Sequence, residues 1–296
     1  MIIRLVLARV AGFLLAASPV VLQSGVPSSY ESPPHDILLQ TAIEAGQAAG
    51  ALLRDYAETG FRIEYKNPIN LVTDADRAAE QCVIDRLRAS FPDHHFLAEE
   101  GGRSDKGRSP YRWIIDPLDG TTNFAHGYPA YCVSIGLEYE GRCIIGVVFD
   151  PTRNDLFTAI EHRGAHLNGR PIRVTTTQTL DSSLLVTGFA YDIRETKRNN
   201  LDHFAKFALK AQGLRRTGSA ALDLCYVAAG RFDGFWEVRL NPWDMAAGSV
   251  IAREAGGRLT DFSGNDLSIY GQELVASNGQ IHEAMLAVLN QAPSET

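Results

Sequence analysis

Cysteine is scarce in this sequence, and its scarcity argues against a fold held together by disulfides. Four cysteines are scattered through 296 residues without a C-x-x-C pair: Cys82, Cys132, Cys143 and Cys225. A chain of this length can bury a sufficient hydrophobic core without covalent cross-links. We therefore expect reduced, mostly buried thiols in a reducing compartment, the cytoplasm.

Positive charge is also in deficit, which bears on the binding partners. The chain has 28 Lys and Arg residues against 35 Asp and Glu residues, a formal net charge of −7. Nonspecific nucleic-acid binding depends on neutralising phosphates with Lys and Arg, so we expect no nucleic-acid partner. An anionic small molecule would need a local positive charge, such as a bound metal cation, to overcome the overall repulsion.

The N-terminus lacks an apolar run of membrane-spanning length. Residues 1–22 contain two arginines and then an apolar stretch from Ala11 to Leu22, which Pro19 interrupts. Crossing a bilayer takes about 20 apolar residues, so we expect no membrane partner. The stretch resembles a signal peptide without a clear cleavage site, which leaves a signal, an anchor and an upstream extension open. We interpret residues 1–35 as an N-terminal extension and linker.

The apolar pattern divides the remaining residues, 36–296, into two halves. In the first half, 36–180, it predicts two helices and then a mostly antiparallel sheet, an α+β arrangement. In the second half, 181–296, strands and helices alternate, which predicts an α/β arrangement with helices on the faces of a sheet. The predicted helices are Asp36–Ala57, a helix from just after Thr73 to Arg88, Arg198–Gln212, Ala220–Ala229, Asp244–Ala255 and Gln280–Leu289. The predicted strands lie at Phe96–Ala98, Trp113–Ile115, Val133–Glu138, Cys143–Phe149, Leu156–Ile160, Pro171–Val174, Ser183–Gly188, Leu214–Arg216, Asp233–Glu237 and Glu273–Ala276.

The most informative stretch begins where an apolar strand ends in Asp116. Pro117 fixes its own φ and turns the chain, and Asp119 follows, so both carboxylates can converge on one point. Gly120 lets the backbone approach a ligand closely. Thr121 opens a predicted helix start, where N–H groups bind anions.

Two convergent carboxylates repel each other, so the Asp116–Asp119 pair calls for a cation. Oxygen ligands without His or Cys favour Mg²⁺, Mn²⁺ or Ca²⁺, and the carbonyl of Leu118 in the same turn is a further oxygen ligand. The alternative is that the two acids only cap a turn and a helix, since Asp-Pro and Asp-Gly are common in turns. Capping would explain one of the two acids, but it explains less well why both occur together.

Other acidic residues occupy similar positions. Glu99 and Glu100 follow a short predicted strand, Asp244 starts a predicted helix, and Asp74 and Asp76 start another. Taken singly, each is explained by helix capping or by a solvated strand end. Their combination is what carries functional meaning.

Four segments occur in order along the chain: Asn70-Leu71-Val72-Thr73-x-Ala75-Asp76, Glu99-Glu100, Asp116-Pro117-Leu118-Asp119-Gly120-Thr121-Thr122-Asn123 and Pro242-Trp243-Asp244-Met245-Ala246-Ala247-Gly248. Together they resemble the inositol monophosphatase family over about residues 36–290. The resemblance implies an α/β (α+β) fold of the sugar-phosphatase type, a five-layer α-β-α-β-α sandwich, with 36–296 as the catalytic domain. Ala98 stands where many members have Gly, and Asn70 where some have Asp; neither position is a metal ligand.

The resemblance also implies a metal site with two or three Mg²⁺ ions. Glu99, Asp116 and the carbonyl of Leu118 would hold the first, and Asp116, Asp119 and Asp244 the second. A third, weaker ion would lie near Glu99 and be held mainly by water.

The catalytic residues implied by the resemblance are Asp76 and Thr121, which would orient and help deprotonate the attacking water, together with Glu99. The substrate-binding residues implied are Asp119, Gly120, Thr121, Gly218, Ser219, Ala220 and Glu237. For Glu237, a solvated strand-end charge is the alternative interpretation. Arg215 and Arg216 precede this segment and are interpreted as surface charges.

The activity implied is Mg²⁺-dependent hydrolysis of a small phosphate monoester, with myo-inositol monophosphate, giving inositol and phosphate, as the first choice. Histidinol phosphate, 3′-phosphoadenosine 5′-phosphate and fructose 1,6-bisphosphate remain alternative substrates. A regulatory binding protein of the same fold is the alternative from another functional class. Family members are usually homodimers, so the resemblance implies a homodimer.

Overall fold

The computed structural model of the chain describes residues 34–65, 71–104, 108–197 and 199–291. Almost all of the predicted N-terminal extension, 1–35, lies outside the described residues. The motif residue Asn70 and Arg198, the predicted first residue of a helix, lie outside them as well.

Helices and strands are numbered here in chain order over the described residues. The helices are α1 (His35–Thr59), α2 (Asp74–Ser90), α3 (Thr121–Ala125), α4 (Leu201–Ala208), α5 (Ala220–Ala228), α6 (Pro242–Glu254) and α7 (His282–Leu289), with a 3₁₀ turn at Leu180–Ser182. The strands are β1 (Ile63–Tyr65), β2 (Leu71–Thr73), β3 (His95–Ala98), β4 (Gly102–Ser104), β5 (Tyr111–Asp119), β6 (Cys132–Tyr139), β7 (Arg142–Asp150), β8 (Asp155–Ile160), β9 (Ala165–Leu167), β10 (Arg170–Pro171), β11 (Leu184–Thr187), β12 (Gly213–Arg215), β13 (Gly234–Val238), β14 (Arg258–Thr260) and β15 (Glu273–Ser277).

Two large sheets organise the chain. The first has eight strands in the order β10-β9-β8-β7-β6-β5-β3-β4, and only its β3–β5 pair is parallel among the described strands. The second has five strands in the order β12-β11-β13-β15-β14, with β11 parallel to both β12 and β13. A small antiparallel pair, β1 and β2, precedes α2.

Helices and sheets alternate in five layers. Helices α1 and α2 pack on the eight-stranded sheet, α5 and α6 lie between the two sheets, and α4 and α7 pack against the five-stranded sheet. Three groups of buried apolar side chains fill the spaces between these layers. The predicted five-layer α-β-α-β-α sandwich is therefore confirmed.

The first helix follows directly from its sequence pattern. Leu38, Ala42, Ala45 and Ala49 recur at helical spacing, and all four are fully buried. The small residues let α1 lie close to the sheet: a Cβ at Gly50 would come within 2.5 Å of the Phe149 ring. The predicted helix Asp36–Ala57 is confirmed, extended by one residue at its start and two at its end.

The largest error of the sequence interpretation concerns the helix predicted at Arg198–Gln212. The observed helix, α4, covers only Leu201–Ala208, and it begins at Leu201 because Asn200 before it adopts a left-handed conformation with φ 69°. The Asn200 amide instead donates to the carbonyl of Gly188 (2.8 Å) and accepts from the indole N–H of Trp236 (2.8 Å). A buried side-chain network thus overrides local helical propensity.

Two predicted strands also differ from the observed ones. The strand expected at Pro171–Val174 is wrong beyond Pro171, since the N–H of Val174 donates to the carbonyl of Ala255 (3.2 Å). The strand expected at Trp113–Ile115 does not end at Asp116, because β5 continues through Asp119.

Close packing of α6 on the first sheet sets the position of its N-terminus. A Cβ at Gly136 in β6 would lie 2.7 Å from the Cβ of Ala246, and one at Gly146 in β7 would overlap the backbone of Ala247. The missing side chains let α6 touch the sheet backbone. In the part of the chain that the structure describes, no helix has the length and apolarity needed to cross a membrane.

Candidate active site

One cavity, about 160 Å³ in volume, lies between the end of β5, α3, and the starts of α5 and α6. Of the residues that the sequence predicts for the site, all except Asp76 line this cavity. Asp76 lies directly behind it, hydrogen-bonded to Thr121 in the wall. The structure therefore brings together side chains that are up to 168 positions apart in the sequence, from Asp76 to Asp244.

A bulge in β5 brings Asp116 and Asp119 to the cavity. Asp116 pairs with Ser134 and Asp119 with Cys132, so three steps along β5 match two steps along β6. Pro117, in the extra step, has no N–H to offer the neighbouring strand. The Asp116 carboxylate accepts a hydrogen bond from the N–H of Leu118 (3.0 Å). The motif is thus a bulged strand end, and not a simple turn.

Gly120 allows the backbone to turn from the end of β5 into α3. Its φ is +99°, and a Cβ there would lie 2.8 Å from the carbonyl oxygen of Ala130. Only glycine adopts this backbone conformation without steric cost. The short helix α3 begins immediately afterwards at Thr121, whose side chain is buried in the cavity wall.

Asp119 joins the two halves of the chain. Its Oδ2 accepts hydrogen bonds from the hydroxyl of Ser219 (2.7 Å) and the N–H of Ala221 (2.7 Å). Ser219 is also the N-cap of α5, where it accepts from the N–H of Leu222. Burial raises the pKa of Asp119, and these hydrogen bonds oppose that rise.

Asp76 and Thr121 form a buried pair behind the acids that line the cavity. Asp76 caps the first turn of α2 by accepting from the N–H (2.8 Å) and the hydroxyl (2.6 Å) of Thr73. Its other oxygen, Oδ1, accepts from the hydroxyl of Thr121 (3.2 Å), which also lies 3.0 Å from the carbonyl of Leu118. Burial raises the pKa of Asp76 to about 6, despite the hydrogen bonds from Thr73.

Negative charge accumulates on one wall of the cavity. The pKa of Asp116 is raised well above its usual value, first by burial and then by the charges of Glu99, Asp119 and Asp244. Burial and the charge of Asp119 likewise raise the pKa of Asp244, although its Oδ2 accepts from the N–H of Asn241 (2.7 Å). Four carboxylates that oppose one another's ionisation are the environment that a divalent cation would relieve.

The donor set fits a hard cation. The available ligands are carboxylate oxygens and the carbonyl of Leu118, which suits Mg²⁺ better than zinc. Among the described residues, no three Asp, Glu, His or Cys side chains already form a complete ligand cluster.

The opposite wall carries a second group of charges, in part missed from sequence. Glu237 is buried there, and burial and the charge of Asp223 raise its pKa, while Arg216 opposes the rise. Arg216 is exposed, as the interpretation as a surface charge expects, and it also lines the cavity, which the sequence did not predict. Asp223 was overlooked, although a single acid within the apolar helix sequence of α5 was a usable signal.

Two further residues at the cavity mouth had no sequence signal. Tyr191 follows β11 in an irregular loop, and Arg239 lies between β13 and α6 with a φ of +64°. No motif or periodicity marks either position.

A serine–histidine arrangement elsewhere is structural. His282 lies 2.8 Å from the hydroxyl of Ser277 and 2.9 Å from that of Thr260. His282 and Ser277 are fully buried, so a substrate has no access to them. Burial lowers the pKa of His282 to about 4, which keeps the ring neutral.

Comparison with known proteins gives a consistent result. A model of the inositol monophosphatase family matches residues 35–294. The chain is similar to a Synechocystis protein named inositol-1-monophosphatase, with 48% identity over 256 residues, covering 86% of this chain and 89% of that protein. It is also similar to the Escherichia coli K12 protein named Nus factor SuhB, with 42% identity over 260 residues, covering 87% of this chain and 97% of that protein.

Solved structures agree with the sequence matches. The inositol monophosphatase from Anabaena (Nostoc) sp. PCC 7120 superposes with a TM-score of 0.81 at 44% identity, covering 88% of this chain and 98% of the other.

Proposed function

Since this chain belongs to the inositol monophosphatase family, it is a phosphoric monoester hydrolase, and we propose that it converts myo-inositol monophosphate to inositol and phosphate. The observation that carries the proposal is the meeting of four acids from distant parts of the chain, Glu99, Asp116, Asp119 and Asp244, in one cavity. A small cavity of this kind suits a small ester.

The family depends on metal ions, and we propose Mg²⁺ for this chain, with two or three ions per site. Glu99, Asp116 and the carbonyl of Leu118 would hold one ion, and Asp116, Asp119 and Asp244 another. A third would lie near Glu99. The chemistry that bound Mg²⁺ supplies is that of a Lewis acid, which makes water easier to deprotonate and offsets charge on the phosphate oxygens.

Asp76 and Thr121 would handle the proton of the attacking water. The hydroxyl of Thr121 donates to Asp76 Oδ1, which leaves its oxygen lone pairs free to accept a hydrogen bond from water. As the water attacks phosphorus, its proton passes to the Thr121 oxygen while the Thr121 proton passes to Asp76. A carboxyl with a pKa of about 6 is suited to accept a proton near neutral pH.

The substrate would lie between the two walls. The N–H groups of Gly120 and Thr121, at the start of α3, are suited to phosphate oxygens. Glu237 and Asp119 would accept hydrogen bonds from ring hydroxyls, with the segment from Gly218 to Ala220 beside them. Glu99 completes the proposed catalytic set.

A panel of phosphate monoesters tests the proposal. We expect kcat/KM to be highest for inositol 1-phosphate, above histidinol phosphate, 3′-phosphoadenosine 5′-phosphate and fructose 1,6-bisphosphate, and phosphate release to stop when Mg²⁺ is chelated. Asp119→Asn should lose at least about a hundredfold in kcat/KM, since it weakens both a ligand and the charge of the site. The remote charge variant Glu283→Gln should match the wild type. Activity without divalent cation, or full activity of Asp119→Asn, would refute the mechanism.

A regulatory role is the second candidate, favoured by the 42% identity to the protein named Nus factor SuhB. The two roles predict different outcomes for an Asp119→Asn substitution introduced into the native gene. If hydrolysis is the main role, the strain should behave like a deletion. If regulation is the main role, the Asp119→Asn strain should behave like the wild type.

Assembly and location remain predictions. We propose that the protein is a homodimer in the cytoplasm, following the family pattern. Sedimentation equilibrium should give twice the chain mass of 32.4 kDa, and cell fractionation should find the protein in the cytoplasmic fraction.

A further inference from the structure

A loop of residues 189–193 contributes Phe189, Ala190 and Tyr191 to the lining of the cavity. Its Tyr191 lines the cavity and lies close to Thr122 in α3. The neighbouring Asp192 forms an ion pair with Arg239, between β13 and α6 (Nη2 to Oδ2, 2.5 Å). The tip of the loop is thus ion-paired with Arg239 and lies beside α3.

The base of this loop is firmly held, so any movement must be at its tip. The carbonyl of Gly188 accepts from the buried Asn200 amide (2.8 Å), and the rings of Phe189 and Phe204 lie 5.8 Å apart. Residues Ala190 to Ile193 form a tight turn closed by the N–H of Ile193 donating to the carbonyl of Ala190 (3.1 Å). Tyr191 projects from that turn and remains 40% exposed, as expected at a cavity mouth.

Arg239 has a backbone conformation that bulky residues rarely adopt. Its φ is +64°, the left-handed region that favours glycine, and its N–H donates to the carbonyl of Gln272. Its neighbours therefore fix the backbone at this position. Because a glycine would fit there without strain, the arginine side chain is expected to have a function that offsets the strain.

Asp192 has Arg239 as the partner of one carboxylate oxygen. The second carboxylate oxygen, Oδ1, is buried and accepts no hydrogen bond within the described part of the chain. Arg239 is the cation within ion-pair distance of its Oδ2. Loss of Arg239 would leave a partly buried carboxylate poorly satisfied, and the tip of the loop would relieve that by moving into water.

We propose that Arg239 is a positioning residue: through Asp192 it holds the 189–193 loop closed, with Tyr191 across the mouth of the active site and against the bound ester. The idea rests on the proposed hydrolase function, because closure is meaningful only over a substrate. Arg239 acts through Asp192 and does not itself contact the ester. Tyr191 is the residue that the closed loop presents to the ester.

A double-mutant cycle with two measurements tests this. Wild type, Arg239→Gly, Asp192→Ala and the double variant are compared by steady-state kinetics on inositol 1-phosphate with Mg²⁺ and by hydrogen–deuterium exchange of amides 190–193. We expect each single variant to raise KM about three- to tenfold with little change in kcat, and to speed exchange of the loop. The double variant should be no worse than either single one, and Arg239→Lys should restore part of the wild-type KM.

Several results would overturn the proposal. Additive effects on KM would mean that Arg239 acts independently of Asp192, for example by touching the ester. Unchanged exchange at 190–193 in Arg239→Gly would mean that the ion pair does not hold the loop. Arg258→Ala, which breaks the remote pair of Arg258 with Glu283, serves as control and should leave both measurements unchanged. Exchange does not need turnover, so a wild type without phosphatase activity would refute the proposed function separately.

Discussion

Gly188 offers a way to displace Glu237 without altering any charge. A Cβ at this position would overlap both carboxylate oxygens of Glu237, and the backbone cannot yield because Asn200 holds the Gly188 carbonyl. The φ of Gly188 is not in the left-handed region, so alanine itself is not strained there. In Gly188→Ala the Glu237 carboxylate is therefore the group that must move.

The size of the effect follows from the hydrogen bond that Glu237 is proposed to accept from a ring hydroxyl. A hydrogen bond to a charged group contributes about 1.5–3 kcal/mol, so its loss should lower kcat/KM for inositol 1-phosphate by about 10- to 150-fold. A phosphate monoester without ring hydroxyls, such as p-nitrophenyl phosphate, should lose less than about twofold, since the metal-facing wall is untouched.

Two further variants isolate the cause. If Glu237 transmits the whole effect, Gly188→Ala combined with Glu237→Ala should be no slower than Glu237→Ala alone. Gly46→Ala in α1 places a methyl group 3.6 Å from Ile135, an ordinary contact, and should leave the kinetics unchanged. An equal loss on both substrates, or no loss on inositol 1-phosphate, would refute a ring-binding role for Glu237.

Three more predictions concern stability and pH. Gly120→Ala should lower the free energy of unfolding by about 2–4 kcal/mol, because alanine there is strained and its Cβ overlaps the Ala130 carbonyl. Gly102→Ala is strained in the same way but has open space around it, so it should cost only about 1 kcal/mol. Urea titration measures both losses, and equal losses would contradict the role of the overlap. Thr73→Val removes a hydroxyl that favours ionised Asp76, so the acid limb of the pH–kcat/KM profile should move to higher pH, while Thr73→Ser should leave it in place. The pKa of Asp116 is raised in the fold, so the metal-free native state binds more protons than the unfolded state and loses stability as pH rises. Mg²⁺ should therefore raise Tm more at pH 8 than at pH 5.5. A rise in Tm that does not depend on pH would contradict this.

Sequence patterns predicted the fold well where burial and periodicity coincide. The alanine-rich stripe of α1 and the hairpin of β6 and β7 carry regular spacing over many residues, and both were expected close to their observed bounds. Three-residue strands such as β9 and β14 were not predicted, because so short a segment does not show a repeating pattern of apolar residues. Helix α4 was misjudged because the tertiary contacts of Asn200, and not local propensity, decide where it begins.

The residues of the candidate site likewise fall into those that the sequence predicted and those that it did not. Glu99, Asp116, Asp119 and Asp244 were predicted because each follows a strand end or opens a helix within a specific motif, whereas Asp223 was overlooked. Tyr191 and Arg239 were not, since they matter only through where an irregular loop happens to lie. Arg216 was correctly expected at the surface, but its place in the cavity lining was not predicted, because an arginine beside a strand end looks the same in sequence whether or not a cavity lies next to it.

The hydrogen bonds from Ser219 and Ala221 to Asp119 join residues about 100 positions apart. During synthesis, therefore, the end of β5 with Asp116 and Asp119 is made long before the helix α5 whose start binds the Asp119 carboxylate. A nascent chain that has only its first half holds Glu99, Asp116 and Asp119, but neither Asp244 nor the helix start that binds Asp119. Competence to hydrolyse an ester should then appear late in folding, in a single step, when the second half docks.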